Sequence, residues 1–393
     1  MSKLSGGFDP GRILDLSRQE AVVPRIIDSP LSSPAKGFTE VKIVGVGGGG
    51  GNAVNRMVDA SVQGVEFIAV NTDAQALAAS NAYRKIIIGA RSTRGLGAGG
   101  DPNAGERAAE IEQDELVETL SGADMIFVTA GMGGGTGTGA APTIARIARQ
   151  QTHALTVGIV TLPFRFEGAK RARIAAEGVE RLRNEVDALI VIPNDKLLRL
   201  GDVRMTVVDA FKMADDVLRQ GIQGISDLVT MTGLINLDFA DVKSIMSDSG
   251  PALMAIGEAR GEDRAVQAAR AALNSPLLDV SIEGARGVLL NITGGPDLAL
   301  SEVADAADAV REAVDESANI IFGAVVNPHP QPDIKITVIA TGLKKQADRR
   351  REQTSVDSMS RSPRQARAER EQSDDDFDAP SFLRRRRGSL QDD

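Results

Sequence analysis

The chain has 393 residues, 42% of them hydrophobic and 25% charged, which is enough for two domains around an aliphatic core. Zero cysteines exclude a disulfide scaffold, thiol catalysis, zinc ribbons and iron–sulfur clusters, and no run of about 18 apolar residues is present to span a membrane. A formal charge of −9, with 3% aromatics and no Trp, argues against a nucleic-acid-binding body of basic surface and stacking rings.

Residues 1–39 mix Pro, Ser, Gly and both charge signs, with short apolar patches at Ile13-Leu14 and Ile26-Ile27. They show no signal-peptide pattern, and Asp9, Asp15, Glu20 and Asp28 speak against a transit peptide, so a flexible arm on a cytoplasmic protein is expected. Order begins with the β-branched run Val41 to Val46, followed by a helix expected over Asn52 to Ala60. Further strands are expected at Val65 to Val70, Ile86 to Ile88, Asp124 to Ala130, Leu155 to Leu162 and Ala188 to Ile192, with a helix over Ala140 to Arg149. Strands alternating with helices predict a Rossmann-like parallel sheet over 40–205, with ligands at the carboxyl ends of the strands.

From Thr206 to about Met231 the apolar residues Phe211, Leu218, Ile222, Ile225 and Val229 recur at helical spacing, which predicts one long central helix within 206–233. Gly221 and Gly224 weaken such a helix by up to about 1 kcal/mol each relative to Ala, so close packing is expected there. Residues 234–343 read as a smaller α+β domain, with helices at Asp241 to Met246 and Arg264 to Leu273 and strands at Gly287 to Thr293 and Ile334 to Thr341. Residues 344–373 are polar and charged, a disordered linker, and 374–393 hold an apolar island followed by four arginines.

Glycine is in excess: 41 residues, where an average of about 7% gives roughly 28. The surplus is concentrated in Gly45 to Gly51, Gly95 to Gly105 and Gly131 to Gly139. The first cluster satisfies G-x-G-x-x-G directly after a strand, a pattern that brings backbone N–H groups to an anion at a helix start. An NAD(P)-dependent oxidoreductase would also want an acid at the end of the second strand, but Glu66 stands at its beginning. The last cluster, Gly131 to Gly139 with Thr136 and Thr138, contains no lysine and is no Walker loop, yet its amides and hydroxyls can wrap a di- or triphosphate.

Gly133 to Gly139 reads GGGTGTG and Gly47 to Asn52 reads GGGGGN; together they resemble the FtsZ family of bacterial tubulin-like division GTPases. Asn71-Thr72-Asp73, Phe164 to Gly168, Ile192 to Asp195 and Asn236 to Val242 agree in the same order. The resemblance covers about 41–343 and the last twenty residues. It implies GTP/GDP held by Gly48, Gly49, Gly50, Gly51, Asn52, Gly135, Thr136 and Gly137, with Asn194 completing the contacts. It also implies Phe211 stacked on the guanine, Asp215 accepting from guanine N1–H and the exocyclic amine, Glu167 on the ribose and Arg171 near the sugar and phosphates. The middle glycine cluster would lie towards the γ-phosphate.

Asp238 and Asp241 read on their own as a helix-capping pair. The resemblance instead places them, with Asn236, on the opposite end of the subunit, where they complete the next subunit's site and orient the attacking water. Mg²⁺ is implied on the β- and γ-phosphates, held by phosphate oxygens and water, with no protein metal site; the only histidines, His153 and His329, are expected at the surface. The implied partners are further copies of the chain, head to tail in filaments of the division ring beneath the membrane at mid-cell. Asp376 to Arg384 resembles the family's C-terminal peptide, with Phe377, Phe382, Leu383 and Arg384 binding membrane-anchoring and regulatory proteins. Two alternatives stand beside this reading: the oxidoreductase, and a GTP-binding scaffold that does not hydrolyse.

Overall fold

The computed structural model describes residues 39–199, 205–231, 237–278, 282–327 and 333–343. The Val- and Ile-rich segments form the strands β1 (Val41–Val46), β2 (Val65–Asn71), β3 (Arg84–Ile87), β4 (Met125–Gly131), β5 (Leu155–Leu162) and β6 (Ala188–Pro193). They are followed by β7 (Gly250–Arg260), β8 (Gly287–Gly294), β9 (Asn319–Val326) and β10 (Asp333–Thr341). The helices of the first half are α1 (Gly47–Asp59), α2 (Ala74–Ala78), α3 (Ala90–Thr93), α4 (Pro102–Ile111), α5 (Gln113–Leu120), α6 (Thr136–Gln151), α7 (Ala169–Arg183) and α8 (Asn194–Leu197). Then come α9 (Val207–Thr230), α10 (Phe239–Met246), α11 (Arg264–Leu273) and α12 (Leu300–Arg311).

The strands form one sheet in the order β3-β2-β1-β4-β5-β6-β7-β10-β8-β9. All pairings from β3 to β7 are parallel, so crossover helices cover both faces, as expected for an α/β fold. Ile43, Phe127 and Ile159 pack on one face with Val54 and Met57 of α1 and Leu218, Ile222 and Ile225 of α9. Val44, Val128 and Val160 pack on the other with Ile144 and Ile147 of α6. The chain therefore leaves β1 towards one face and leaves the adjacent β4 towards the other. A crevice opens between them at the carboxyl ends, where doubly wound sheets bind ligands.

β7 joins β6 through only three registered pairs, Ala188 to Ile190 with Gly250 to Ala252, and then runs antiparallel to β10 along most of its length. β10 pairs antiparallel with β8, and α11 and α12 close a further core with Ala268, Ala306, Val288 and Ile336. The parallel sheet expected for the first half thus continues into a mixed sheet in the second.

Two helices begin earlier than the sequence pattern indicates. α1 starts at Gly47 rather than Asn52, and α6 at Thr136 rather than Ala140. The first glycine run is itself the opening of α1, and Gly137 and Gly139 lie in the first turn of α6. Gly47 has φ +69°, and a Cβ on Gly50 would stand 2.3 Å from the Thr129 carbonyl oxygen, so side chains there would block the seating of α1 against β4.

The long helix expected after Thr206 is α9, capped by the Thr206 hydroxyl, which accepts from the Asp209 N–H. Its glycines do face close neighbours: a Cβ on Gly221 would meet Met254 Sδ at 2.6 Å, and one on Gly224 would meet Thr337 Cγ2 at 2.9 Å. Asn291 Nδ2 of β8 donates to the Gly224 carbonyl at 2.9 Å. Phe211 departs from the expected core stripe, being 41% exposed.

A polar ladder runs along α9. Arg219 Nε donates to Asp216 Oδ1 at 2.7 Å, Arg219 Nη1 to Gln223 Oε1 at 2.6 Å, and Gln223 hydrogen-bonds the buried Asp227 carboxyl. Lys335 of β10, paired with Glu258 of β7 at 3.4 Å, adds a positive charge nearby. Burial pushes the Asp227 carboxyl up to about 6, and the Gln223 bond and the charges of Lys335 and Arg219 offset it only in part. An acid whose folded value is raised favours folding most when protonated. Stability from this group is therefore lost as pH rises from 3.8 towards about 6, an effect of about 3 kcal/mol. Asp227→Asn should accordingly raise the urea midpoint relative to wild type near neutral pH, with the difference closing towards about pH 4. A pH-independent difference would contradict this ladder.

Candidate nucleotide-binding cleft

Two helices present their amino ends to the crevice between β1 and β4. Neither α1 nor α6 has a side-chain hydrogen bond at its N-cap or an acidic residue in its first turn. Their leading N–H groups have no partner within the helix and carry the positive end of the helix dipole, which makes the crevice an anion site. The cleft has a volume of about 400 Å³, and Gly48, Gly49, Gly134, Gly135, Thr136 and Gly137 line its floor. A Cβ placed on Gly48 or Gly134 would meet no heavy atom within 4 Å, so the space beside them is open for a ligand.

The two threonine hydroxyls are already engaged. Thr136 Oγ1 is hydrogen-bonded to Thr72 Oγ1 at 2.6 Å, and Thr138 Oγ1 accepts from the Gly133 N–H at 2.8 Å. They brace the loop, and the amides are left to face the ligand. Thr72 belongs to the Asn71-Thr72-Asp73 run, whose place in the fold is therefore behind the phosphate loop.

The cleft is further lined by Phe211, Ala214 and Asp215 of α9, Asn52 of α1 and Asn194 of α8. The Phe211 ring meets that of Phe164 edge-on at 5.4 Å between centroids, and Phe166 stacks on Phe164 at 5.0 Å. This fixes the Phe211 ring while leaving it partly exposed for a planar base. The Asp215 carboxylate takes Arg56 Nε at 3.2 Å; burial raises its pKa, and the Arg56 hydrogen bond and charge oppose that rise. Asn194 is buried, and its Oδ1 has no hydrogen-bond partner, an acceptor that a ligand hydroxyl would satisfy. Glu167 forms an ion pair with Arg171, and its Oε1 also accepts from the Phe164 N–H at 2.9 Å. Both residues line the cleft wall.

The residues brought together are therefore Gly48, Gly49, Asn52, Gly135, Thr136, Gly137, Glu167, Arg171, Asn194, Phe211 and Asp215. Gly50 and Gly51 do not line the cleft. Gly50 is buried against Thr129, whereas a Cβ on Gly51 would meet no heavy atom within 4 Å. Gly131, Met132 and Gly134 belong to the glycine loop already singled out, whereas Thr161, Pro163 and Ala214 join the lining without a local pattern to announce them. The middle glycine cluster lies against the phosphate loop, since a Cβ on Gly135 would stand 2.8 Å from the Ala98 Cβ and 3.0 Å from the Asp101 nitrogen. Glu66 is paired with Lys42 and Arg84 near the amino ends of the strands and does not line the cleft, so it is not placed as the ribose-binding acid of an oxidoreductase.

Asp238 and Asp241 are exposed on α10 and do not line the cleft. The capping reading of Asp238 is not met, because its side chain makes no cap hydrogen bond. α10 leads into β7, whose first residue pairs with Ala188 at the amino end of β6, whereas the cleft gathers at carboxyl ends. Asn236, His329, residues 1–38, and the C-terminal linker and peptide with Phe377, Phe382, Leu383 and Arg384 lie outside the described residues. His153 is at the surface. Among the described residues no group of three or more His, Asp or Glu is placed to hold a metal ion, and no helix is long and apolar enough to cross a membrane.

Residues 40–202 match the GTPase domain of the tubulin/FtsZ family, and residues 250–344 match the C-terminal domain of the FtsZ family. The chain is similar to FtsZ of M. jannaschii solved as an empty dimer, with 44% identity and a TM-score of 0.75 over 77% of this chain and 88% of that one. A tryptophan-to-tyrosine mutant of that same FtsZ gives 44% identity and a TM-score of 0.76 over 78% of this chain and 92% of that one. CetZ2 from Haloferax volcanii, in a GTPγS-bound protofilament, shares the fold at 22% identity and a TM-score of 0.67, over 82% of this chain and 100% of that one.

The two kinds of glycine can be told apart by substitution. Gly48→Ala should leave the thermal midpoint unchanged or slightly raised while weakening guanine-nucleotide binding about tenfold or more, because its methyl enters ligand space. Gly50→Ala should instead lower stability by about 1–3 kcal/mol, measured by urea unfolding without nucleotide. Undiminished nucleotide binding by Gly48→Ala would remove the first turn of α1 from the site.

Proposed function

The chain belongs to the tubulin/FtsZ family, and from that membership we propose that it is a self-assembling GTPase that polymerises head to tail into filaments of the division ring. The observation that carries the reading is the meeting of two uncapped helix amino termini at one crevice, with a partly exposed aromatic ring and a buried carboxylate beside it. The amides of Gly48, Gly49, Gly135 and Gly137 take the phosphates, and Asn52 and Asn194 add side-chain contacts. Phe211 stacks on the base and Asp215 accepts its N1–H and exocyclic amine, an edge that adenine does not offer. Glu167 takes the ribose hydroxyls, with Arg171 beside them.

Among the described residues, the carboxylates lining the cleft are Glu167, ion-paired with Arg171, and Asp215, hydrogen-bonded by Arg56. In the proposal the activation of water falls to Asp238 and Asp241, with Asn236, of the next subunit. They orient a water for in-line attack on the γ-phosphorus; the bond to the β–γ bridging oxygen breaks, and phosphate leaves GDP behind. Mg²⁺ would be held by the nucleotide's own phosphates and water rather than by protein side chains, and would supply charge neutralisation for the transfer. Because the donor and acceptor faces differ, the contact is heterologous and does not close, which gives a filament. GTP favours the filament and hydrolysis weakens the contact.

The same reading divides the chain into a GTP-binding domain over 40–205, a central helix over 206–233 and a C-terminal activation domain over 234–343. The linker over 344–373 tethers the filament to a peptide over 374–393 that engages anchoring and regulatory proteins at the membrane. The experiment is GTP turnover per subunit against protein concentration, with sedimentation in parallel. Specific activity should rise above a threshold at which pelletable polymer appears, and Asp238→Ala should bind GTP but not hydrolyse it. Activity independent of concentration would overturn the shared site.

A further inference from the structure

α1 begins at the phosphate end of the cleft and passes under its base end. Arg56 stands nine residues after Gly47, about 13 Å along the axis at 1.5 Å per residue, where α1 packs on α9. There its Nε reaches Asp215 Oδ2 at 3.2 Å. The Asp215 side chain is only 15% exposed, and among the described residues Arg56 is the only cation within ion-pair distance of it. The next charge along α9, Asp216, is of like sign and makes ionisation of Asp215 harder. Across the cleft Glu167 and Arg171 neutralise one another. Without Arg56 a carboxyl in this position would be pushed towards its neutral form by burial, the largest influence on it.

We infer that Arg56 is a positioning residue for base selection: it holds Asp215 ionised and oriented so that the carboxylate can accept two hydrogen bonds from guanine. This rests on the GTP reading of the cleft. A neutral carboxylic acid carries a proton where guanine presents a donor, so one of the two bonds becomes a clash of donors. The effect of Arg56 is therefore specific to ligands with both N1–H and the exocyclic amine. Inosine triphosphate has the first and lacks the second.

The test is calorimetric binding of GTP and of inosine triphosphate to the full chain, wild type and Arg56→Gln, from about pH 8 down to about pH 6, with Arg56→Lys as the conservative rescue. Arg56→Gln should lose GTP affinity about tenfold more than wild type as the pH falls, and its preference for GTP over inosine triphosphate should shrink with it. Arg56→Lys should keep a flat pH profile and a preference within about threefold of wild type. Equal loss for both nucleotides with no added pH dependence would make Arg56 merely structural and overturn the inference, as would a lysine variant that loses selectivity. If Arg56→Gln fails to fold, the lysine variant decides by the same criterion. A wild type that binds neither nucleotide would overturn the GTP reading itself, a separate result.

Discussion

Two helix amino termini can share one crevice only if nothing fills the space between them. In this molecule α1 and α6 leave neighbouring parallel strands towards opposite faces of the sheet, so their first turns converge. A side chain at Gly50 would strike the Thr129 carbonyl, and one at Gly47 would come within 2.9 Å of the Gly137 nitrogen. That convergence of uncapped helix starts makes the cleft electropositive without lysine, the kind of place where an anion is favoured, and the rest of the cleft is arranged around it.

The two helices that frame the cleft also tie its ends together. α1 runs from Gly48 and Gly49 on the cleft floor to Arg56 beside Asp215, and α9 runs from Phe211 and Asp215 to the polar ladder against Lys335 and Asn291 in the second half. The cleft thus lies against one end of an element whose other end is packed on the C-terminal half of the sheet. α10 follows α9 in the chain and carries Asp238 and Asp241 away from the cleft. On the reading proposed above, each subunit therefore bears two incomplete half-sites, and chemistry waits for assembly.

Much of this was legible in the sequence. The glycine clusters, the β-branched strands and the 3.6-residue stripe of α9 each have a direct physical cause in the fold. The helix starts were not, because glycine has low helix propensity; only the tertiary contact with β4 makes Gly47 to Gly51 helical. Phe211 matched a core stripe by spacing, yet the cleft interrupts the core at that turn. β7 opens with Gly250-Pro251, and α12 is rich in alanine, so neither carries strong hydrophobic contrast. Thr161 and Pro163 join the cleft, and Arg56 reaches Asp215 of its wall, through strand order and helix packing, which spacing along the chain does not encode. Some of the glycine surplus also proves to be packing: a Cβ on Gly139 would stand 1.9 Å from the Pro102 carbonyl oxygen, where α6 meets α4.

The idea that hydrolysis is divided between subunits is tested most directly by mixing two inactive variants. One carries an intact cleft with Asp238→Ala; the other carries Gly48→Ala with Asp238 intact. With GTP held well below the concentration that fills the Gly48→Ala cleft, each alone should show little GTP turnover. An equimolar mixture should recover about a quarter of wild-type turnover, since about one contact in four pairs an intact cleft with an intact carboxylate loop. A mixture no more active than its components would contradict a site shared between subunits.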